Sequence, residues 1–408
     1  MKKTFPKKYK VCMVMHQYYF GDARVMGYAE ALERAGVQVD VLCTQGQVEG
    51  HSENVRVISI PLGHRRRNPV GYLFEYIMSL ILFSIWLLVL FVRNRYQVIH
   101  VNNLPDFLII TGLIPKIFGA KLILDIHDPM PELFMAKYNK PSANLLVKII
   151  QIQERLSSKL ANVIITVNKE CKNNLASRGI PANKIFIIRN FPDPTVFDRN
   201  RYDRKANLQS QVYTLICPGT IAPRYGLDVA IRALPQLVKR IPNIRYTIIG
   251  KWTSYATELL NIAKQLGVSP NVQILPPIPR DQVPQTLVLA DVGIYTACSS
   301  PHMDIAIPGK MLEYALMGIP IIASRLHVLE DWFDKSSVLF FESGNIQQFA
   351  DCVLELYENP DLAQQLVQNM DRTFVSTHHW EDEKREYFNV LRRLLPQGLI
   401  PQGDDQCP

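Results

Sequence analysis

None of the seven cysteines, Cys12, Cys43, Cys171, Cys217, Cys298, Cys352 and Cys407, has another within CxxC distance, and the histidines fall into no ligand spacing. Neither a zinc site nor a disulfide framework is suggested, and the cytosol is the expected compartment. A secretory signal is not recognisable either. Lys2, Lys3, Lys7, Lys8 and Lys10 make the N-terminus basic, but the run Val11-Cys-Met-Val-Met15 is short and leads into polar residues, as a first strand does. Low-complexity sequence is absent, as is any repeat beyond a β/α rhythm. With 48% hydrophobic residues, the chain is too apolar for disorder to dominate, and its 408 residues exceed what one core usually supports. Two domains are expected.

The balance of 45 basic against 37 acidic residues, a net +8, favours anionic partners. Its distribution points to a membrane surface: Arg65-Arg66-Arg67 precede a long apolar segment, and Arg93 and Arg95 follow it. That segment, Tyr72 to Val92, carries only Glu75 as a charge. Its 21 residues, at ~1.5 Å each, are enough to cross a hydrocarbon core of ~30 Å. Three placements fit: a helix lying in or against the membrane, a buried core helix, or a span. Against the span, both flanks read as pieces of one α/β domain, and both are basic, so the positive-inside rule gives no orientation. A nucleic-acid binder is disfavoured because the basic residues show no interleaved aromatic platform and no recognisable module. The sequence carries no signal of oligomeric state.

Short β-rich runs alternate with helical stretches, which predicts parallel sheets covered by helices. In the first half the runs are Val11–Met15, Val39–Cys43, Val55–Ile60, Val98–Val101, Leu122–Ile126 and Val163–Val167, with a helix from about Arg24 to Ala35. In the second they are Tyr213–Cys217, Arg245–Ile249, Val272–Leu275, Val292–Tyr295, Ile319–Ala323 and Val338–Phe341, with a helix near Leu227–Arg240. Between them, Asn190-Phe-Pro-Asp-Pro-Thr and the polar stretch Asp198–Ser210 have the composition of a hinge. The expected organisation is an acceptor-side domain over 1–200, a donor-side domain over 201–380, and a C-terminal helix and tail over 381–408. Pro396, Gly398 and Pro401 close the last helix.

Pro308-Gly-Lys310-Met-Leu-Glu313 sets a cation and a carboxylate three apart at a proline-started helix, which then gives way to a β-run. Near a helix N-terminus, free N–H groups and the dipole favour anions, so a diphosphate and its ribose both come within reach. An ordinary surface Lys–Glu pair fits the same residues.

Taken with five further signals in order, this segment resembles the GT-B glycosyltransferases, in particular the large retaining group known as family 4. The signals are Phe20-Gly21-Asp22-Ala-Arg24, His100-Val-Asn-Asn-Leu-Pro105-Asp106, Asp125-Ile-His127-Asp128, Asn190-Phe-Pro-Asp193, and Gly219-Thr220 with Arg224. The resemblance implies two Rossmann-like doubly wound parallel-sheet α/β domains facing a cleft. It gives Arg224 and Lys310 the developing charge of a nucleoside diphosphate, and Glu313 the two ribose hydroxyls, which a carboxylate with two acceptor oxygens suits. Gly219 and Thr220 form the donor-side turn. The family's first motif glutamate would fall at Ile305, where its neighbour Asp304, or backbone N–H groups around Ile305–Ile307, would contact the sugar instead. In the family the lysine of the basic pair directly precedes a glycine; here Tyr225 stands there and Arg224 one residue earlier.

His127, at the carboxyl end of an apolar strand, is placed near the donor sugar by the resemblance, as a neutral imidazole lending electron density to an oxocarbenium-like centre. It is expected to act with Arg224 and Lys310 as the catalytic set. Asp128 and Glu132 flank it, to orient the ring or meet the acceptor. Gly21, Arg24, Asn103 and Asp128 form the acceptor-side set, with Asp22 as a helix cap and Arg24 reaching an anionic acceptor. The implied activity is retaining transfer of a hexose-type unit from a nucleoside-diphosphate sugar, a UDP-sugar for instance, to an acceptor hydroxyl. The acceptor is a glycan or lipid-linked saccharide at the cytoplasmic face of a membrane, as in polysaccharide biosynthesis. No cofactor is expected, and no divalent metal, because no Asp-x-Asp motif stands at a cleft position. Two rivals share the fold: a sugar-nucleotide epimerase, which needs acid/base carboxylates near the sugar, and a non-catalytic membrane-bound scaffold.

Overall fold

The computed structural model describes residues 9–44, 54–62, 69–202 and 212–395. Arg65-Arg66-Arg67, Lys2, Lys3, Lys7 and Lys8, residues 203–210 of the polar stretch, and the tail from Pro396 with Cys407 lie outside the described residues.

The chain forms two compact units, one running to Asn190 and resuming at Glu381, the other Phe191–Trp380. In the first, β1 (Lys10–Met15), β2 (Gln38–Thr44), β3 (Val55–Ile60), β4 (Val98–Asn102), β5 (Lys121–Ile126), β6 (Val163–Thr166) and β7 (Ile185–Ile187) form one parallel sheet in the order β3-β2-β1-β4-β5-β6-β7. In the second, β8 (Tyr213–Pro218), β9 (Ile244–Ile249), β10 (Val272–Leu275), β11 (Val292–Tyr295), β12 (Ile321–Ser324) and β13 (Leu339–Phe341) form another, in the order β10-β9-β8-β11-β12-β13. Strand order reverses beside β1 and again beside β8, and the carboxyl ends of strands at such switch points are where open α/β sheets gather ligands. The two sheets are those expected from the apolar runs, with β7 an additional three-residue edge.

The apolar segment folds as the helix Pro69–Asn94, the crossover between β3 and β4. One side packs on the sheet: Phe83, Leu87, Leu90 and Phe91 are buried in the cluster that holds Cys12, Val14, Ile99 and Val101. Each such side chain contributes roughly 1.5–3 kcal/mol by leaving water. Glu75 is buried too, 3.8 Å from His16 Nε2, and Ser79 Oγ lies 2.6 Å from the same nitrogen. A helix anchored this way in its own domain's core does not span a bilayer. Its opposite side remains apolar and exposed, with Ile77, Ile81, Ile85 and Val89 at four-residue spacing.

The last helix, Trp380–Leu394, belongs with the first unit. Its Tyr387 ring stacks on Tyr28 at 4.3 Å, and Glu383 accepts bonds from the backbone N–H and the guanidinium of Arg189.

Candidate functional site

In the second unit, the loops after β8 and β9 meet. Beyond Pro218 the chain turns at Gly219, whose φ of +118° is a conformation L side chains rarely adopt. A Cβ on Gly250, just past β9, would lie 2.1 Å from the Gly219 carbonyl oxygen, so the two backbones approach this closely only because residue 250 is glycine. Gly219, Thr220, Gly250, Thr253, Lys310 and Glu313 line a pocket of about 550 Å³. Thr253 caps the helix Ser254–Gln265 and donates through its hydroxyl to Ile221 O at 3.0 Å.

Lys310 enters from the first turn of the helix Gly309–Met317, with Pro308 at its N-cap. Its ammonium lies 5.1 Å from the Tyr225 ring centre, 5.7 Å from that of Tyr295 and 3.5 Å from Cys217 Sγ. Among the described residues no carboxylate lies within ion-pair distance of it. One turn on, desolvation pushes the Glu313 carboxyl up to about 7, with Lys310 and Arg280 pulling the other way. Arg224 stands on the short turn Pro223–Tyr225, its guanidinium 4.8 Å from the Tyr225 ring, so Tyr225 lies beside both cations. Among the described residues the buried Arg224 Nε has no hydrogen-bond partner, leaving a donor in reserve for an anion. Asp304 is placed differently. It does not line the pocket, and its carboxylate accepts from Ser299 Oγ at 2.9 Å. The N–H groups of Ile305 and Ala306 both donate to His302 O, so neither is offered to a sugar.

In the first unit, the carboxyl ends of β4 and β5 carry a network centred on Asp125. Arg24 Nε and Nη2 donate to its two oxygens at 2.8 and 3.2 Å, and Nη1 donates to Ile188 O at 2.9 Å. The expectation that Arg24 reaches an acceptor is therefore corrected: its donors are engaged inside the unit, and it is 4% exposed. Glu132 is likewise engaged within the unit, its Oε1 2.6 Å from Arg178 Nη1. His100 Nε2 and His127 Nδ1 each lie 3.8 Å from Asp125, and His100 Nδ1 lies 2.9 Å from the Tyr387 hydroxyl. Burial dominates for His100 and lowers its pKa, so that ring is neutral. Burial would also lower that of His127, but Asp125, with Asp128 and Asp22 behind it, lifts it to about 9. The carboxylates around it thus favour the protonated ring at neutral pH, where the sequence suggested a neutral one.

Asn103 brackets the His127 loop. Its amide donates to Asp128 O at 2.7 Å and Asp106 Oδ1 at 3.0 Å, and its carbonyl oxygen accepts from the His127 and Asp128 N–H groups at 3.3 and 3.4 Å. Asp22 caps the helix Ala23–Arg34 through the N–H groups of Arg24 and Val25, as expected. Gly21 sits on an exposed turn with room for a side chain, the nearest atom to an added Cβ being Tyr18 Cδ1 at 3.7 Å.

Residues 23–196 match the family described as Glycosyltransferase Family 4, and residues 198–373 the family described as Glycosyl transferases group 1. The chain belongs to glycosyltransferase family 4. Among curated relatives, the GDP-mannose-dependent alpha-(1-6)-phosphatidylinositol monomannoside mannosyltransferase of Mycolicibacterium smegmatis is 28% identical over 175 residues, 40% of this chain and 44% of that one. The protein of that name from Mycobacterium tuberculosis H37Rv is 26% identical over 212 residues, 50% and 54% of the two chains. The chain thus spans about half the length of the curated relatives it matches. Among solved structures, sucrose-phosphate synthase of Thermosynechococcus elongatus superposes with a TM-score of 0.76 at 17% identity, over 95% of this chain and 99% of that one. Anabaena HepE in complex with UDP gives 0.67 at 15%, over 94% and 100%. These two likenesses establish the GT-B fold.

Several members of this candidate site were given no role from sequence. Gly250 follows β9 as Gly219 follows β8, a signal that pairs them. Asp125 is an acid inside the otherwise apolar strand Leu122-Ile-Leu-Asp-Ile126, which marks it as a buried partner awaiting a cation. Tyr225 lies between two predicted residues, and nothing in its local sequence announces the stacking.

Proposed function

We propose that this family-4 glycosyltransferase moves a hexose-type sugar, with retention, from a nucleoside-diphosphate sugar to the hydroxyl of a lipid-linked or membrane-presented glycan at the cytoplasmic face. One observation carries the donor half: a pocket of about 550 Å³ at the carboxyl ends of β8 and β9 presents Lys310, which has no carboxylate partner among the described residues, and Glu313 one helical turn away. Such a pocket offers a cation to a diphosphate and two acceptor oxygens to a ribose diol. The relatives' GDP-mannose dependence and the UDP held by HepE support a nucleoside-diphosphate donor.

As the sugar–phosphate bond breaks, its electron pair passes to the phosphate oxygen, where Lys310 and the unengaged Nε of Arg224 meet the growing charge. In a front-face transfer the leaving phosphate oxygen takes the acceptor proton, so no dedicated base is required. The reaction proceeds without a divalent metal in this reading. The test is a donor panel including GDP-mannose, UDP-glucose and UDP-N-acetylglucosamine with a membrane-lipid extract, scored for nucleoside diphosphate release with and without chelator. Lipid-dependent release that survives chelation is expected. Release abolished by chelator removes metal independence, and no release with any donor removes the transferase reading.

Glu313 makes donor affinity depend on pH. Burial raises its carboxyl to about 7 in the free protein, whereas ribose hydroxyls donating to it favour the ionised form and lower that value. Affinity for the nucleoside diphosphate therefore rises with pH up to about 7 and levels off above. Calorimetric titration of wild type and Glu313→Gln checks this: glutamine flattens that component and weakens binding. Parallel pH profiles for the two proteins would take the ribose away from Glu313.

A further inference from the structure

Among the described residues, sixteen of the twenty exposed large apolar side chains fall between residues 77 and 156. They lie on neighbouring elements of the first unit. The helix Pro69–Asn94 turns Ile77, Ile81, Ile85 and Val89 outward, away from the face packed on the sheet. Beside it, the segment Asp106–Ile117 leads to Ile117, 80% exposed, and Phe118, 67% exposed. The helix Leu145–Leu160 packs on that same segment and turns out Leu145, Ile149, Ile152 and Leu156. Soluble surfaces scatter such residues singly; a contiguous facet of them marks a docking site.

Charge identifies what docks. Residues 69–160 contain six acidic side chains, of which Glu75, Asp106, Asp125, Glu132 and Glu154 are buried and Asp128 half-buried, so none is exposed. Seven basic residues of the same stretch are exposed: Arg93 and Arg95 end the first helix, Lys137 and Lys140 precede the second, and Lys148, Arg155 and Lys159 ride on it. A second copy of the chain docked face to face would oppose these cations with no carboxylate to meet them. An anionic phospholipid surface supplies both an apolar interior for the isoleucines and phosphates for the cations, worth roughly 1 kcal/mol per basic residue.

We propose that this three-element facet of the first unit seats on an anionic phospholipid bilayer, its isoleucine rows inserted at the headgroup boundary and its lysines and arginines on the phosphates. This deepens the functional reading by naming the surface that would meet a membrane-borne acceptor, and rests on it only for that acceptor. Trp86, 40% exposed on the first of these helices, is a built-in depth probe, and Trp252, 56% exposed in the second unit, is a control.

The test uses the full chain without donor or acceptor. Phosphatidylcholine vesicles with and without phosphatidylglycerol are pelleted with the protein, and tryptophan quenching is read with brominated lipid. Binding to the anionic vesicles is expected, with quenching that Trp86→Phe largely removes. The pairs Ile85→Glu with Ile149→Glu, and Lys148→Glu with Arg155→Glu, each weaken partitioning more than about tenfold while melting stays as in wild type. Absence of wild-type binding, binding that survives both pairs, or light scattering showing a dimer that both pairs abolish without any vesicle binding would each overturn the proposal. Turnover on a detergent-solubilised acceptor is measured separately, so a failed membrane seat and a failed transferase reading give different results.

Discussion

Lys310→Ala is expected to lower kcat for sugar transfer by about 10²–10³, with the melting temperature unchanged and donor affinity reduced far less. The ammonium belongs to the first turn of the Gly309–Met317 helix, where the N–H groups and dipole already favour an anion. It is held by aromatic faces and a thiol, so its charge remains for a ligand. In the ground state the diphosphate charge is spread over several oxygens. On bond cleavage it concentrates on the departing one, so the interaction strengthens towards the transition state, which is the condition for a loss in kcat. Stability is spared because alanine removes a cation that makes no ion pair among the described residues, and alanine favours the helix. Lys310→Arg recovers only part of the rate, since a planar, delocalised guanidinium does not reproduce the compact point charge of an ammonium. Steady-state rates for both variants decide it; a Lys310→Ala enzyme working at close to the wild-type rate would sink the donor site as drawn.

The Lys310 site was legible because it is local. A proline, a cation and a carboxylate within six residues fix their own helix and face, and no distant contact is needed to bring them together. The two sheets were legible for a similar reason: strands of a parallel sheet are buried on both faces and read as unbroken apolar runs bounded by turn residues. Where the reading stopped, the missing information lay far along the chain. Arg24 looks free to reach a ligand until Asp125, 101 residues away, takes its guanidinium. Tyr387, 287 residues from His100, returns on the last helix to cap that ring. The helix Pro69–Asn94 failed differently. Because it is apolar all round, composition cannot separate the side that packs on β1 and β4 from the side left outward. Only the sheet, by covering Phe83 and Leu87, draws that line.

Arg24→Ala is expected to destabilise the first unit by about 3–5 kcal/mol, the usual cost of removing one partner from a buried ion pair. Asp125 is fully buried, and burial alone would raise its pKa; Arg24 is the main counterweight that instead holds the carboxyl well below the usual range. Without the guanidinium, the carboxylate keeps its desolvation penalty, and its remaining neighbours stand at 3.8 Å, one of them a histidine that burial keeps neutral. A carboxyl whose pKa is lowered on folding stabilises the native state above its unfolded value of roughly 4, and that contribution is lost as pH falls below it. Wild type therefore owes part of its stability at neutral pH to this pair, and Arg24→Ala flattens the acid limb of the stability curve. Replacing both residues by apolar ones, as Arg24→Met with Asp125→Leu, is expected to cost less than Arg24→Ala alone, because no uncompensated charge remains buried. It also removes the carboxylate beside His127, whose ring then titrates well below about 9. Urea unfolding of the single and double variants, with NMR titration of His127 in the double, separates the two effects. A single substitution costing under about 1 kcal/mol, or a His127 titration indifferent to Asp125, would take this network out of both the fold and the site.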